Sequence, residues 1–160
     1  LTEIYVDGDA CPVREEVYRV AARLGVGVLV VANGSRPIRP PASGQVRLVF
    51  VDNKADAADD WIAEHIGRGD VCVTADIPLA SRALKKGAQA VSPKGTRWTD
   101  ANIGNALAGR ELARHLRELG DNRHGPAPMT RQDRSRFLGA LDAALQAAVR
   151  DRRETDKRVN

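Results

Sequence analysis

The sequence predicts an α/β domain, with helices packed on a central, mostly parallel sheet of five strands, and three features point there. Short runs of β-favouring residues alternate with segments whose apolar residues recur at helical spacing. The apolar content is carried by Ala, Val, Leu and Ile, with only 4% aromatic residues, which suits helices covering a parallel sheet. The strands are separated by helical segments, so they run parallel through right-handed crossovers that bring their exit loops to one edge.

Ile4-Tyr5-Val6 is the first strand, and Asp7-Gly8-Asp9 is a sharp exit from it. Pro12 suits a first helical turn, because the N–H it lacks has no partner there anyway. Val13, Val17, Val20, Ala21 and Leu24 keep helical spacing, and Gly25 stands where a C-cap glycine belongs. Val26 to Ala32, broken only by Gly27, is a strand covered on both faces, ended by Asn33-Gly34-Ser35. Arg36 to Gly44, with Pro37, Pro40 and Pro41, is an irregular surface loop. Val46 to Val51 is the third strand.

A helix beginning near Lys54 places Asp56, Asp59 and Asp60 on one face, opposite Ala58, Trp61, Ile62 and His65. Val71 to Thr74 is the fourth strand. Ala75-Asp76-Ile77-Pro78 again sets an aspartate at a strand exit and a proline early in a helix, which turns Leu79, Ala80, Ala83 and Leu84 inward and ends at Lys85-Lys86-Gly87. Ala88 to Val91 is the fifth strand, followed by a loop from Ser92 to Arg97. Thr99 or Asp100 caps a long helix to about Leu119, which Gly120 ends. Gly125-Pro126-Ala127-Pro128 breaks the chain, and Thr130 caps a last helix with Phe137, Leu138, Leu141, Leu145 and Val149 on one stripe. Apolar content stops after about Arg150, so residues 151–160 are expected to be a disordered tail.

A chain of 160 residues fits one domain, here residues 1–150, with about 100–149 a helical extension of it. Cys11 and Cys72 lie far apart without zinc-ligand spacing, which argues against a disulfide framework and for a reducing cytoplasm. No segment has the length and apolarity to cross a bilayer. The net charge of +4 is a mild basic excess that favours approach to a polyanion, though much of it sits in the last third of the chain.

Asp7 follows three residues that want burial, so its carboxylate must be hydrogen-bonded, paired or bound to a cation. Asp9 serves equally well as an ordinary turn residue. Asp56, Asp59 and Asp60 repel one another at helical spacing unless something positive sits among them. With Asp76, these six acids leave strands one, three and four at the edge where open α/β sheets bind ligands. Such a cluster suits Mg²⁺ or Mn²⁺, and ions there activate water and steady charge on a phosphoryl group. Lys54, Lys94, Asn33 and Arg97 stand in exit loops and could hold substrate phosphates, with a solvated loop side chain as the plain alternative for each. Cys11 reads as a small buried or capping residue and Cys72 as core. His65, His115 and His124 share no ligand spacing, and Trp61 and Trp98 are too few to argue for base stacking.

Val6-Asp7-Gly8-Asp9-Ala10-Cys11-Pro12, Asp56-x-x-Asp59-Asp60, Val73-Thr74-Ala75-Asp76-Ile77-Pro78-Leu79-Ala80 and Pro93-Lys94-Gly95, with Asn102-Ile103 and Gly125-Pro126 downstream, resemble the YaiI/YqxD family of small bacterial PIN-like proteins. The likeness runs from about residue 4 to 149. It implies a three-layer α/β/α PIN-like fold and an acidic metal pocket. By the same resemblance Asp7, Asp59 and Asp76 are the core metal ligands and catalytic centre, while Asp9, Asp56 and Asp60 are outer ligands or orient the attacking water. Many PIN nucleases carry a further acid after the next strand, where this chain has Ser92-Pro93-Lys94-Gly95.

The expected function is therefore Mg²⁺- or Mn²⁺-dependent hydrolysis of RNA or another phosphodiester. A non-catalytic module that binds RNA or a nucleotide is the first alternative. The second is a haloacid-dehalogenase-like phosphatase with Asp7 as nucleophile and Asp9 as general acid. Thr74 imitates the second motif of those enzymes, but Asp59-Asp60 precedes it, whereas their metal-binding acids follow.

Overall fold

Asp7 leaves the strand next to the middle of a six-stranded sheet. In a computed structural model, which describes residues 1–34, 38–39, 44–119 and 128–159 apart from the side chains of residues 10 and 117, the strands are β1 (Glu3–Asp7), β2 (Gly27–Ala32), β3 (Val46–Phe50), β4 (Val71–Val73), β5 (Gln89–Val91) and β6 (Arg97–Trp98). A 3-10 turn, Gly8–Ala10, follows β1, and the helices are α1 (Arg14–Leu24), α2 (Ala57–His65), α3 (Ile77–Lys85), α4 (Asp100–Glu118) and α5 (Arg131–Val159). Most of the loop expected over residues 36–44, together with Gly120, His124 and the Gly125-Pro126 motif, lies outside the described residues.

The strand order is β3-β2-β1-β4-β5-β6, parallel throughout except at β6. From β1 the chain steps outward to β2 and β3, then returns across to β4 and continues to β5. The order therefore reverses between β1 and β4, where the loops above the sheet diverge and leave a crevice. Alternation of side chains along each strand divides the core into two halves. Ile4, Val6, Val28, Val30, Val71 and Val73 pack against α1 and α5, while Tyr5, Leu29, Val31, Cys72 and Ala90 pack against α2, α3 and the start of α4. The result is three layers, helix on sheet on helix.

The caps that end these helices were readable from local chemistry. Gly25 takes the left-handed conformation (φ 68°) and its N–H closes on the Ala21 carbonyl. The Asn102 N–H donates to Thr99 Oγ1 while the Thr99 N–H donates to Asn102 Oδ1. Thr130 and Asp133 form the same reciprocal box at the head of α5. Phe137, Leu141 and Leu145 are fully buried, each contributing about 2 kcal/mol of apolar burial.

Two expectations are corrected. Arg97, read as the end of a loop, and Trp98 pair antiparallel with β5 through Val91↔Arg97 and Ala90↔Trp98, so the sheet has a sixth, edge strand. A two-residue strand has no period to read; only its partner defines it. The tail is also no tail, because α5 runs on to Val159. Its last turns bury little apolar surface, but Arg152 pairs with the buried Asp70 (3.2 Å), and Arg68 reaches Glu154 (3.4 Å). Gly69 permits this approach: at φ 91° its missing Cβ would fall 2.8 Å from Arg152 Nε. No helix among the described residues is long and apolar enough to cross a membrane.

Candidate active site

The crevice is built by register. Val6 is opposite Val73, so Asp7 and Thr74 leave their strands side by side. Tyr5 and Cys72 face the layer that holds α2 and α3, and Asp7 and Thr74, two residues further on, face the same way. Thr74, buried to 2% exposure, donates its hydroxyl to Asp7 Oδ2 (3.2 Å) and accepts from the Asp76 N–H (3.0 Å). One hydroxyl thus ties the carboxylate of one strand exit to the backbone of the next. Asp76 then caps α3 by accepting from the Leu79 N–H (2.9 Å), with Pro78 in the first turn.

Asp59 closes the cup from above. It sits three, four and seven residues before Ile62, Ala63 and Ile66, all buried, so it lies on the inward stripe of α2. Asp76, Asp7 and Asp56 all act on its charge, Asp76 most strongly. Burial first, and these neighbouring carboxylates second, push the Asp59 carboxyl up to about 7. Asp7 is also raised, by burial and then by Asp76 and Asp9, against the Thr74 hydrogen bond that lowers it.

The other expected site residues divide. Asp9 is held beside Asp7 by the Asn33 backbone N–H at the exit of β2 (3.0 Å). The sharp Asp7-Gly8-Asp9 corner needs its glycine, since a Cβ on Gly8 would meet Val30 Cγ1 at 2.6 Å. Asp56 precedes α2 in the left-handed conformation (φ 67°), exposed but near enough to raise Asp59. Asp60 turns outward and pairs with Arg82 (2.8 Å). The expectation that Asp56, Asp59 and Asp60 share a face opposite Ile62 is therefore corrected: α2 starts at Ala57, and its register separates them. Lys54 and Lys94 are exposed on exit loops of the same edge, after β3 and β5. Arg97 instead donates to Gln89 Oε1 (3.1 Å), at the opposite end of β5. Thr74 is the residue whose role here was missed. Its signal was its place, two before the aspartate that caps the next helix.

The donor set is all oxygen, the chemistry that Mg²⁺ and Mn²⁺ prefer. Asp7 is fixed through Oδ2 and Asp76 through Oδ1, which leaves each a second oxygen to offer. Cys11 does not compete as a soft ligand, because burial pushes its thiol up to about 11. Among the described residues no three Asp, Glu, His or Cys side chains stand close enough to form a ready metal cage. The acids make a loose cup, and Mg²⁺ is commonly bound by one or two carboxylates completed by water and substrate phosphate.

A family model described as "Uncharacterized BCR, YaiI/YqxD family" matches residues 5–147. A UPF0178 protein of Rhodospirillum rubrum is 53% identical over 150 residues, covering 94% of this chain and 99% of the relative. A UPF0178 protein of Rhodospirillum centenum is 52% identical over 95% of this chain and 100% of its own length, and one of Brucella suis 54% identical over 89% and 88%. No solved structure matches the chain.

Proposed function

The chain belongs to the YaiI/YqxD family, and from the acid cup at its switch point we propose that it is a PIN-like, Mg²⁺- or Mn²⁺-dependent nuclease that hydrolyses RNA or another phosphodiester. The observation that carries this reading is the convergence of Asp7, Asp59 and Asp76, from three separate elements, where burial and then like charge push the Asp59 carboxyl up to about 7. Such repulsion costs stability, and perturbed carboxylates concentrated in a crevice are a mark of function. Asp7 and Asp76 would hold the ion through their remaining oxygens, beside Asp59, with water and substrate phosphate completing its shell. Bound there, it would supply a water of lowered pKa and a counter-charge for the phosphoryl oxygens.

The chain's own residues supply order and a proton site. Thr74 and the Leu79 N–H fix the directions of Asp7 and Asp76, so two of the three acids need little reorganisation. In the metal-free cup Asp59, near 7, can hold or release a proton. Lys54 and Lys94 line the edge along which a polyanion would approach.

A second reading is a non-catalytic module that binds RNA or a nucleotide. It draws on the open arrangement of the acids and on the Ser92-to-Gly95 turn, which carries Lys94 where an acid is expected. Incubating the protein with single-stranded RNA, and separately with a phosphomonoester, with and without Mn²⁺, separates the readings. Mn²⁺-dependent RNA cleavage that Asp7→Asn or Asp76→Asn abolishes is the expected result. Phosphomonoester hydrolysis alone would favour the phosphatase, and RNA binding without cleavage the module.

A further inference from the structure

A second feature of the same edge is unused by the acid cup. On the other side of the Asp7-Gly8-Asp9 corner, a cavity of about 320 Å³ opens between the head of α1 and Ile38-Arg39. Arg14, Glu15, Tyr18, Ile38 and Arg39 line it. We propose that this cavity is a phosphate subsite that holds a backbone phosphate of a single-stranded nucleic acid adjoining the one in the cup. The proposal rests on the phosphodiester reading given above.

Position argues for it first. Ile38 Cδ1 lies 3.4 Å from where a Cβ on Gly8 would be, and Gly8 separates Asp7 from Asp9, so cavity and cup share a wall. Arg14 is the first residue of α1, so the cavity adjoins the positive end of that helix. Charge argues second. Two guanidinium groups oppose one exposed carboxylate, Glu15, and among the described residues neither Arg14 nor Arg39 forms an ion pair, although several other arginines do. Planar guanidinium forks match phosphate oxygens two at a time.

Size supplies the third argument. Two guanidinium groups would converge on one anionic group, with the Tyr18 ring as part of the wall. The volume exceeds that of a phosphate and leaves space for the attached sugar.

The test is fluorescence anisotropy of a labelled oligouridylate in EDTA, so that binding is read without metal or cleavage, on wild type and on Arg14→Gln, Arg39→Gln, Tyr18→Phe and Asp76→Asn. Each arginine variant is expected to bind about five- to tenfold more weakly and to lower the salt dependence by about one counter-ion. Tyr18→Phe, which keeps the ring in the wall, is expected to leave binding unchanged, and Asp76→Asn, which removes a negative charge from the cup, to tighten it. Wild-type affinity and slope in both arginine variants would overturn the subsite. Inorganic phosphate, titrated by calorimetry into the same proteins, separates the sources: phosphate binding without oligonucleotide binding overturns the assignment to a strand. Unchanged binding in the arginine variants, with Mn²⁺-dependent cleavage abolished by Asp76→Asn, would sink the subsite and keep the nuclease. Lost binding with no cleavage under any metal would do the reverse.

Discussion

The carboxyl of Asp59, on the first turn of α2, feels the like charge of Asp76, the cap of α3, which after burial does most to push it up to about 7. Burial and this like charge favour the protonated acid, so without a cation Asp59 is about half protonated at neutral pH. Below about pH 4 both the folded and the unfolded chain carry that proton. Between there and about 7 the unfolded chain releases it while the fold keeps it, so this group's contribution falls as pH rises through the window and levels off above it.

Asp59→Asn should therefore raise the stability of the metal-free protein at pH 8 by on the order of 1 kcal/mol, allowing for the partial exposure of the site. The melting temperature should rise by about 2–4 °C and its decline between pH 4 and 7 should flatten. Thermal melts in EDTA across that range check it. A variant less stable than wild type at pH 8 would show that the acids do not repel as argued.

Thr74→Val keeps the shape of the side chain and removes the link between Asp7 and the Asp76 backbone. The cost to stability should be about 1–2 kcal/mol, since the Asp76 N–H loses its acceptor. Metal-dependent turnover should drop by one to two orders of magnitude, because Asp7 is no longer directed. Parallel melting and cleavage assays measure both, and full activity in a folded Thr74→Val protein would remove Thr74 from the account.

Gly8→Ala places a methyl group 2.6 Å from Val30 Cγ1 and 3.2 Å from the Val31 carbonyl oxygen. Overpacking of that kind costs about 1–3 kcal/mol, so the midpoint of urea denaturation should fall. An unchanged midpoint would mean that the corner between Asp7 and Asp9 yields easily.

Arg152→Ala should show that the end of α5 is part of the domain. Asp70 would lose its cationic partner but keep the Glu3 and Gly67 N–H groups, so the loss should be about 1–3 kcal/mol. Hydrogen exchange should then speed up in residues 150–159 before it does in the core. Protection unchanged in that segment would contradict the role of the pair.

The contrast between Asp7 and Asp59 shows what could be read from sequence and what could not. Asp7 was legible because three adjacent β-favouring residues fix its strand, and an acid at the end of a buried run needs a reason. Asp59 was recognised as a site residue but given the wrong face: three and four residues before the buried Ile62 and Ala63, it lies on their stripe, while Asp56, left-handed, precedes the helix. The caps at Gly25, Thr99 and Thr130 were legible because their partners lie within four residues. The helical end of α5 was not, because Arg152 and Glu154 find Asp70 and Arg68 more than eighty positions away. β6 and the Thr74 link were hidden likewise, each being defined by a neighbour that only the folded sheet supplies.

The most direct test of the acid cup is calorimetric titration of Mn²⁺ into wild type and Asp76→Asn, near pH 7 in two buffers of different ionisation enthalpy. The account predicts saturable binding to wild type with release of a proton, and binding at least tenfold weaker in the variant. Equal binding by the two proteins, or no binding by wild type, would contradict it.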